Sequence, residues 1–246
     1  FHSINNIFFD SDNNIISKEE FYNKISDIGE VFIKPTRLRE SGYARGCIIV
    51  KIIDGTDVYS NTSIKKIIET NYCNKDFLVQ EKLISHKTFS EIYPKSVNTV
   101  SVTTLFFNNE IKVLNPILKI GAGGNIFDWN GFDKKGFIIS MDKDGFLYDL
   151  AYSPNEKKWY SCHPDTGVVF KKYKIENLKK VLDAAIKMHS SVMRLPFCRW
   201  DFVVDEQGDA VVIENETPSC MLDQISYGEG FFGADTEEIL SYLKNR

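Results

Sequence analysis

The chain has 246 residues, 43% of them hydrophobic and 26% charged, with a net charge of −4, so it can bury one large core or two smaller ones. Interspersed charges without a basic patch argue against a nucleic-acid partner, and no apolar run reaches the roughly 20 residues of a membrane span. Five cysteines without a Cys-x-x-Cys pair, and no signal peptide, predict a cytoplasmic protein with reduced thiols.

In the first third of the chain, helical and strand-like segments alternate. The sequence Ser17-Lys18-Glu19-Glu20 is a capping box, which predicts the start of a helix. The segments "EVFIKP" and "CIIVKII" predict two strands on either side of a polar, glycine-containing loop. The predicted elements are a helix over 17–28, strands over 30–35 and 47–53, a helix over 62–70 and a strand over 76–83.

Hairpins dominate the rest of the chain. Between them, the segment 121–136 is too long to be a plain connection. The predicted elements are a hairpin over 99–120 turning at Asn108-Asn109, a hairpin turning at Lys143-Asp144-Gly145, a helix over 176–193, a hairpin over 200–216 and a final helix capped at Asp235. Antiparallel hairpins interleaved with helices predict an α+β fold.

The hairpin over 200–216 gathers acidic residues on one face. If its turn centres on Gln207-Gly208, Asp201 lies directly opposite Glu214, and Glu216 joins the same face two residues further on. Like charges in these positions repel, and three such carboxylates among apolar neighbours cost several kcal/mol unless lysine and arginine or a hard cation neutralise them. Mg²⁺ is a suitable cation, since it takes carboxylate and phosphate oxygens. The alternative is an ordinary solvated strand face.

A lysine and a glycine-containing loop adjoin in the first third of the chain. Lys34 lies in an apolar strand directly before Pro35, and Gly42 and Gly46 follow in the loop. Backbone N–H groups of such a loop can bind phosphates. The alternative is a strand-edge lysine, with its stem along apolar surface, followed by an ordinary long turn.

Two histidines are candidates for proton transfer. His189 continues the apolar stripe of a predicted helix, which indicates a buried histidine with satisfied hydrogen bonds. His163 lies in the turn "CHPDTG" and is expected to be either simply exposed or placed as a general base. Neither belongs to a Ser/His/Asp or Cys/His set, so nucleophilic catalysis is not indicated.

Five segments, in order along the chain, resemble motifs of the ATP-grasp family. The branch is the one associated with bacterial sugar transfer and surface-polysaccharide biosynthesis. The resemblance runs from about Val31 to about Gly230, and it implies an α+β ATP-grasp fold in which two α+β subdomains clasp ATP between them. The five segments are "VFIKPTRLRESGYARG", "FLVQEKLISH", "PKSVNTVSVTTLF", "HPDTG" and "WDFVVDEQGDAVVIENETP".

The resemblance also implies a division of the chain. Residues 31–83 would form the small subdomain with the phosphate loop, and residues 84–246 the large subdomain with the acidic hairpin. Residues 1–30 carry no motif and would be a lead-in left from a preceding domain. ATP-grasp enzymes commonly carry such a domain, so we expect a preceding segment, a partner chain or a second copy in a homo-oligomer to complete the substrate surface.

Transferred residue by residue, the resemblance implies ATP and Mg²⁺ as cofactors. Asp201, Glu214 and Glu216 would hold Mg²⁺. Because the substitution relieves repulsion between these acids, Asp201→Asn is expected to leave the fold intact. The implied ATP-binding residues are Lys34, Gly42 and Gly46 for the phosphates, and Gln80, Glu81, Lys82 and Leu83 for adenine and ribose.

The chain departs from the family pattern at the positions that would clamp the reacting groups. Ser101 and Lys119 stand where the family has arginines, and Glu216 stands where it has an asparagine. Lysine keeps the charge but loses the bidentate geometry of arginine. Lys119 and Arg199 are the expected catalytic cations, with the Arg199 side chain expected on the opposite face from Asp201. Further cations on the substrate side are Arg37, Arg39 and Arg45.

The resemblance implies a carboxylate–amine ligase that acts through an acyl phosphate on a small molecule or glycan precursor, such as a sugar acid or amino acid. The long loop, with Asp128, Asn130 and Asp133, is expected to contact this substrate. Two alternatives stay open. One is an ATP-grasp kinase that uses Asp128 or His163 as a base, and the other is a nucleotide-binding module without turnover, which the serine at position 101 motivates.

Overall fold

The structure is a computed structural model that describes residues 1–36, 46–128, 135–192, 195–216 and 221–244. The chain forms two compact units, Phe1–Lys82 and Leu83–Arg246. Both contain a β-sheet and helices, so the α+β class predicted from the sequence is confirmed. No helix among the described residues is long and apolar enough to cross a membrane.

In the first unit, the described residues form an antiparallel sheet in the order β3-β2-β1-β8-β4-β5-β6-β7. The helices that the structure describes in this unit are Lys18–Ser26 and Ile64–Asn71. Residues 1–29, which carry no recognised motif, supply the first three strands and the first helix. The strands are β1 His2–Ile4, β2 Ile7–Phe9, β3 Ile15–Ile16, β4 Glu30–Pro35, β5 Ile48–Ile53, β6 Thr56–Asp57, β7 Thr62–Ser63 and β8 Phe77–Glu81.

Local sequence accounts for these elements. Ser17 caps the first helix by accepting a hydrogen bond from the Glu20 N–H at 3.1 Å, which confirms the predicted start of this helix. The second helix begins two residues later than predicted, since β7 pairs with β6 before it. Strand β4 alternates strictly, with Val31 and Ile33 fully buried in the core of this unit and Lys34 on the other face.

In the second unit, the described residues form an antiparallel sheet in the order β14-β13-β12-β11-β9-β15-β16, with β10 beside β9. The strands are β9 Thr99–Phe107, β10 Glu110–Val113, β11 Ile117–Gly121, β12 Gly136–Ser140, β13 Ala151–Ser153, β14 Lys158–Tyr160, β15 Phe197–Val204 and β16 Ala210–Glu216. The helices are Lys87–Ser90, Leu178–Ser190, Met221–Tyr227 and Thr236–Lys244, with a 3₁₀ turn at Gly233–Asp235.

Two hairpins predicted in the middle of the chain are confirmed. After the turn at Asn108-Asn109, β10 and then β11 pair antiparallel with β9, along the edge of β9 opposite β15. After the turn at Lys143-Asp144-Gly145, Leu147 bridges back to Met141 and β13 pairs with β12. In both cases, the sequence around the turn indicates the strand pairing correctly.

The helix Leu178–Ser190 is shorter at both ends than predicted and covers one face of the sheet. Its buried side chains Leu178, Val181 and Ala185 pack in the same core as Val102 and Trp200 from the central strands. Alternate residues of the same strands point to the opposite face, where polar side chains collect.

Candidate functional site

The second unit's sheet has a polar face, formed by side chains of the neighbouring strands β11, β9, β15 and β16. Strand pairing aligns the members of this face across the sheet, since Ser101 pairs with Asp201, Thr99 with Lys119, Asp201 with Glu214 and Arg199 with Glu216. Directly paired residues in an antiparallel sheet share a face. The residues of the polar face are Thr99, Ser101, Lys119, Arg199, Asp201, Glu214 and Glu216.

The pairing of Asp201 with Glu214 is confirmed, and a β-bulge produces it. Near the turn, Val204 pairs with Ala210 and Phe202 with Val212, a register that would place Asp201 opposite Ile213. The register shifts between Asp201 and Phe202, which restores the opposition to Glu214. Glu216 follows on the same face, as predicted, although both glutamates are exposed whereas Asp201 is buried.

Cations of the protein itself neutralise the buried acid. Lys119 Nζ lies 2.5 Å from Asp201 Oδ2, and the side chains of this pair are only 12% and 5% exposed. The hydroxyl of Ser101 donates to the other carboxylate oxygen, Oδ1. Of the two ways to relieve the repulsion on this hairpin, the structure shows neutralisation by a lysine and an arginine. The expectation that Asp201→Asn would leave the fold intact loses its basis, because the substitution would leave a buried lysine charge without its counter-charge.

Arg199 lies on the same face as Asp201, and the expectation of the opposite face is wrong because residues i and i+2 of a strand share a face. Its Nε lies 4.0 Å from Asp201 Oδ1 and 3.4 Å from Glu216 Oε1, while Nη1 lies 3.2 Å from Asp223 Oδ2. The side chain is 8% exposed, and its Nε makes no hydrogen bond to the part of the chain that the structure describes.

Asp223 is a buried acid that sequence analysis missed. It lies on the helix Met221–Tyr227, behind Arg199, and is 3% exposed. The sequence signal was weak, because a single aspartate in a short segment does not indicate which strand its helix will cover. Burial raises the pKa of the Asp223 carboxyl, and the nearby charges of Arg199 and Lys119 only partly offset this effect.

The central ion pair has the opposite balance. Burial is the largest single effect and would raise the pKa of Asp201 and lower that of Lys119. The nearby opposite charges and hydrogen bonds together outweigh it, so the pKa of Asp201 is lowered and that of Lys119 is raised. Asp128 contributes to the raised pKa of Lys119 and accepts a hydrogen bond from the Thr99 hydroxyl. The centre of the polar face is therefore fully charged near neutral pH.

The predicted magnesium ligands have suitable chemistry but are not assembled into a cage. The described residues contain no group of three or more His, Cys, Asp or Glu side chains gathered for a metal ion. Mg²⁺ needs only one or two carboxylates, because water and phosphate oxygens complete its coordination. The exposed glutamates Glu214 and Glu216, with Asp201 beside them, fit this requirement, although both Asp201 oxygens already have protein partners.

The predicted nucleotide-binding residues of the first unit lie at the ends of its two central strands. Lys34 pairs with Leu78 and Phe32 with Gln80, so Lys34 and Gln80 share the face that is turned away from the core. Lys82 is held by Glu30 in two ways, since its backbone N–H donates to the Glu30 carbonyl at 3.1 Å and its Nζ lies 2.9 Å from Oε1.

The remaining predicted residues are placed only in part. Glu81 ends β8 on the opposite face from Gln80, and Leu83 is the first residue of the second unit. Gly46 has a φ of +70°, which favours glycine, and its carbonyl accepts a hydrogen bond from the Tyr72 hydroxyl at 2.5 Å. Gly42, Arg37, Arg39, Arg45, Asn130 and Asp133 lie outside the described residues.

Neither histidine is placed as a free base. His189 is a buried histidine with both nitrogens bonded, to Thr104 and to the Leu195 carbonyl, as predicted. His163 is also fully buried, which corrects the expectation of exposure, and burial lowers its pKa. Its Nε2 donates to the Gly121 carbonyl, and its Nδ1 accepts from the Asp165 N–H.

Comparison with known families agrees with this arrangement. The model of the sugar-transfer associated ATP-grasp family matches residues 7–239. The chain belongs to this family. The resemblance identified from the sequence motifs is therefore confirmed, and with it the ATP-grasp form of the α+β fold. None of the curated proteins matches the sequence.

The solved structures that match this chain are distant in sequence. D-alanyl-alanine synthetase A from Vibrio cholerae has 14% identity and a TM-score of 0.47, over 94% of this chain and 57% of that one. The ATP-grasp ligase PsnB has 11% identity and a TM-score of 0.48, over 93% and 51%. VanG D-Ala:D-Ser ligase from Enterococcus faecalis has 16% identity and a TM-score of 0.44, over 81% of this chain and 44% of that one. The chain thus spans about half the length of these proteins.

Proposed function

We propose that this protein is an ATP- and Mg²⁺-dependent ligase that joins a carboxylate to an amine through an acyl phosphate. The observation that carries the proposal is the polar face, where a buried Lys119–Asp201 pair, a buried arginine and two exposed glutamates lie together in a chain of the ATP-grasp family. The face offers both anions for a metal–nucleotide complex and cations for a carboxylate substrate.

The chemistry requires little covalent participation by the protein. An oxygen of the substrate carboxylate attacks the γ-phosphorus of ATP, and ADP leaves. The amine then attacks the acyl carbon, phosphate leaves with its bonding electron pair, and the amine gives up a proton. Lys119 and Arg199 would orient the anionic groups and stabilise charge as it develops, and Lys34 would contact the phosphates.

Mg²⁺ would be held by Glu214, Glu216 and Asp201, and it supplies neutralisation of the phosphate charges when bound. Asp201 would contribute more by fixing Lys119 and Arg199 than as an isolated ligand, since both its oxygens are already engaged. Gly42, Gly46, Gln80, Glu81, Lys82 and Leu83 would complete the nucleotide contacts.

The substrate would be a sugar acid or amino acid of a bacterial surface-glycan pathway, in the cytoplasm, as the sugar-transfer association of the family suggests. Because the chain spans about half of the distant ligases with this fold, a further segment, a partner chain or a second copy would complete the acceptor side. The division into a small subdomain at 31–83 and a large one at 84–246, with 1–30 as lead-in, belongs to the same proposal.

The test is to trap the activated carboxylate. Enzyme, Mg²⁺ and ATP are incubated with hydroxylamine and a panel of sugar acids and of D- and L-amino acids. We expect ADP release together with a hydroxamate for at least one panel member. ADP release with a phosphate monoester and no hydroxamate would overturn the ligase assignment, and so would an absence of Mg²⁺-dependent ATP binding by calorimetry.

A kinase is the second candidate, because the loop residue Asp128 contacts the polar face and is a carboxylate separate from the three proposed metal ligands. Its hydrogen bond to Thr99, the residue paired with Lys119, puts a possible general base beside a cation. The phosphate-monoester outcome of the same experiment would favour this candidate. If no acceptor releases ADP although ATP binds, Ser101→Arg tests whether the missing arginine accounts for the lack of turnover.

A further inference from the structure

Two sequence motifs have no role in the proposed chemistry. Both form hydrogen bonds to the segment Gly121–Gly123, called the glycine segment below. Asn98, from the motif "SVNT", is fully buried, and all four hydrogen-bonding positions of its side chain are filled. Its Nδ2 donates to the carbonyls of Phe89 and Tyr93 at 2.9 and 3.0 Å, and its Oδ1 accepts from Ser96 Oγ at 2.7 Å and the Gly121 N–H at 3.2 Å.

The motif "HPDTG" holds the same segment from another side. His163 Nε2 lies 2.9 Å from the Gly121 carbonyl oxygen, so the backbone of Gly121 is fixed at both its N–H and its C=O. Asp165 Oδ2 accepts from the Gly123 N–H at 2.6 Å. Two distant parts of the sequence thus hold the segment Gly121–Gly123, through buried hydrogen bonds to Gly121 and an exposed one to Gly123.

Position 121 also has room only for glycine, because the two ends of a loop meet there; this meeting point is called the neck of the loop. A Cβ at this position would lie 2.5 Å from the Phe127 carbonyl oxygen and 2.5 Å from Ser96 Oγ. Phe127, six residues further on, forms a parallel bridge with Val97, next to Asn98. The two ends of the segment 121–127 therefore meet, and Tyr93 holds its middle by donating to the Asn125 carbonyl at 3.0 Å.

The loop delivers Asp128 to the polar face. Directly after the neck, the Asp128 carboxylate accepts a hydrogen bond from the hydroxyl of Thr99, which pairs with Lys119 in the sheet. The strand that carries Lys119 runs straight into Gly121, so the same hydrogen bonds fix the end of β11 and the start of the loop. Asn98, His163 and Asp165 themselves lie away from the polar face.

We propose that Asn98, His163 and Asp165 are positioning residues that clamp Gly121–Gly123, so that Asp128 lies beside Lys119 where it binds the amine substrate. This inference rests on the ligase function proposed above. The amine carries N–H donors, as hydroxylamine also does, and a carboxylate that is separate from the proposed metal ligands accepts hydrogen bonds from them. The clamp therefore acts on the amine and leaves the nucleotide contacts alone.

The test compares two pairs of variants. His163→Gln is matched with His189→Gln, because both histidines are fully buried and bonded at both nitrogens, but only His163 touches the glycine segment. Asp165→Ala, which is exposed and so keeps the fold, is matched with Asp149→Ala, an exposed aspartate that pairs with Lys171. Amide hydrogen exchange of residues 120–128 and steady-state constants are measured for each variant.

We expect His163→Gln and Asp165→Ala to raise exchange in 120–128 and to raise the KM for the amine roughly tenfold, with the KM for ATP changed less than about twofold. Hydroxylamine serves as the amine probe, with the panel carboxylate that gives the most hydroxamate. The control variants should leave both the exchange of this segment and the KM for hydroxylamine unchanged.

Unchanged hydrogen exchange of residues 120–128 in both test variants would overturn the clamp. An equal rise of the KM for the amine and the KM for ATP would also overturn it. So would control variants that raise the KM for the amine without raising the KM for ATP. If the wild type traps no hydroxamate with any carboxylate, the ligase function fails. In that case the exchange data still decide whether His163 and Asp165 fix the segment, and the assignment to amine binding is withdrawn.

Discussion

The two faces of the second unit's sheet are made by the same strands yet have opposite physical character. On one face, Val102 and Trp200 pack against the helix Leu178–Ser190 in a dry core. On the other, Ser101 and Asp201, their immediate neighbours in sequence, belong to a network of charges and hydroxyls. The period of two in a β-strand separates the residues that stabilise this unit from those proposed to act on substrates.

This comparison indicates why the acidic hairpin looked buried and charged at once. Its residues Trp200, Phe202 and Val204 face the core. On the other face, Lys119 and Arg199 neutralise the buried Asp201, whereas Glu214 and Glu216 are exposed. Substitutions on the two faces should therefore differ in kind as well as in size.

The largest effect is expected on the polar face from Asp201→Asn. The substitution leaves Lys119 buried without its counter-charge, so unfolding free energy should fall by roughly 3 kcal/mol. Mg²⁺-dependent ATP binding should weaken at least about a hundredfold, because Lys119 loses its anchor and the proposed magnesium site loses one carboxylate. Chemical denaturation and calorimetry measure the two effects. Wild-type stability with wild-type affinity would contradict the role assigned to this pair.

On the apolar face, Val102→Ala should destabilise without affecting binding. It removes two buried methyl groups and leaves a cavity, at a cost of about 2 kcal/mol. The KM for ATP should remain within about twofold of the wild type, since adjacent side chains point to opposite faces. Denaturation and steady-state kinetics check this prediction, and a change in KM as large as that of a polar-face variant would show that the faces are not independent.

A smaller effect is expected from Arg199→Lys. The substitution keeps the charge but cannot span Asp223 and Glu216 as the guanidinium does. We expect turnover to fall by about tenfold, with ATP affinity nearly unchanged, because Arg199 is proposed to orient the carboxylate substrate. Single-turnover hydroxamate formation measures the step. A loss of ATP affinity with unchanged turnover would instead assign Arg199 to the nucleotide.

The smallest effect concerns pH. Burial raises the pKa of Asp223, so the folded state binds its proton more readily than the unfolded chain, and stability should decline as pH rises from about 4 through the raised pKa. Asp201 has the opposite sign, since its pKa is lowered and its contribution is lost only as pH falls below about 4.

Asp223→Asn should remove the decline above pH 4 and leave the acid-side loss in place. Urea denaturation from pH 3 to pH 7, at fixed ionic strength, compares the slopes of the two proteins. Parallel curves above pH 4 would mean that Asp223 titrates normally.

Much of the secondary structure follows from local sequence. The helix start at Ser17, the strand β4 and the turn at Asn108-Asn109 each depend on residues a few positions apart, and each was predicted. The opposition of Asp201 and Glu214 was also predicted from the turn, although a bulge, which no local pattern signalled, is what produces it.

Tertiary structure decided which partners these residues meet. The sequence alone indicated that the three acids share a face and need a cation, and its motifs identified the family. It could not show that Lys119 and Ser101 would flank Asp201, because that depends on β9 pairing with both β11 and β15. Nor could it show that Asp223 lies behind Arg199 or that His163 is buried against Gly121. Charge balance and burial depend on strands that are up to a hundred residues apart, and only the folded sheet brings them together.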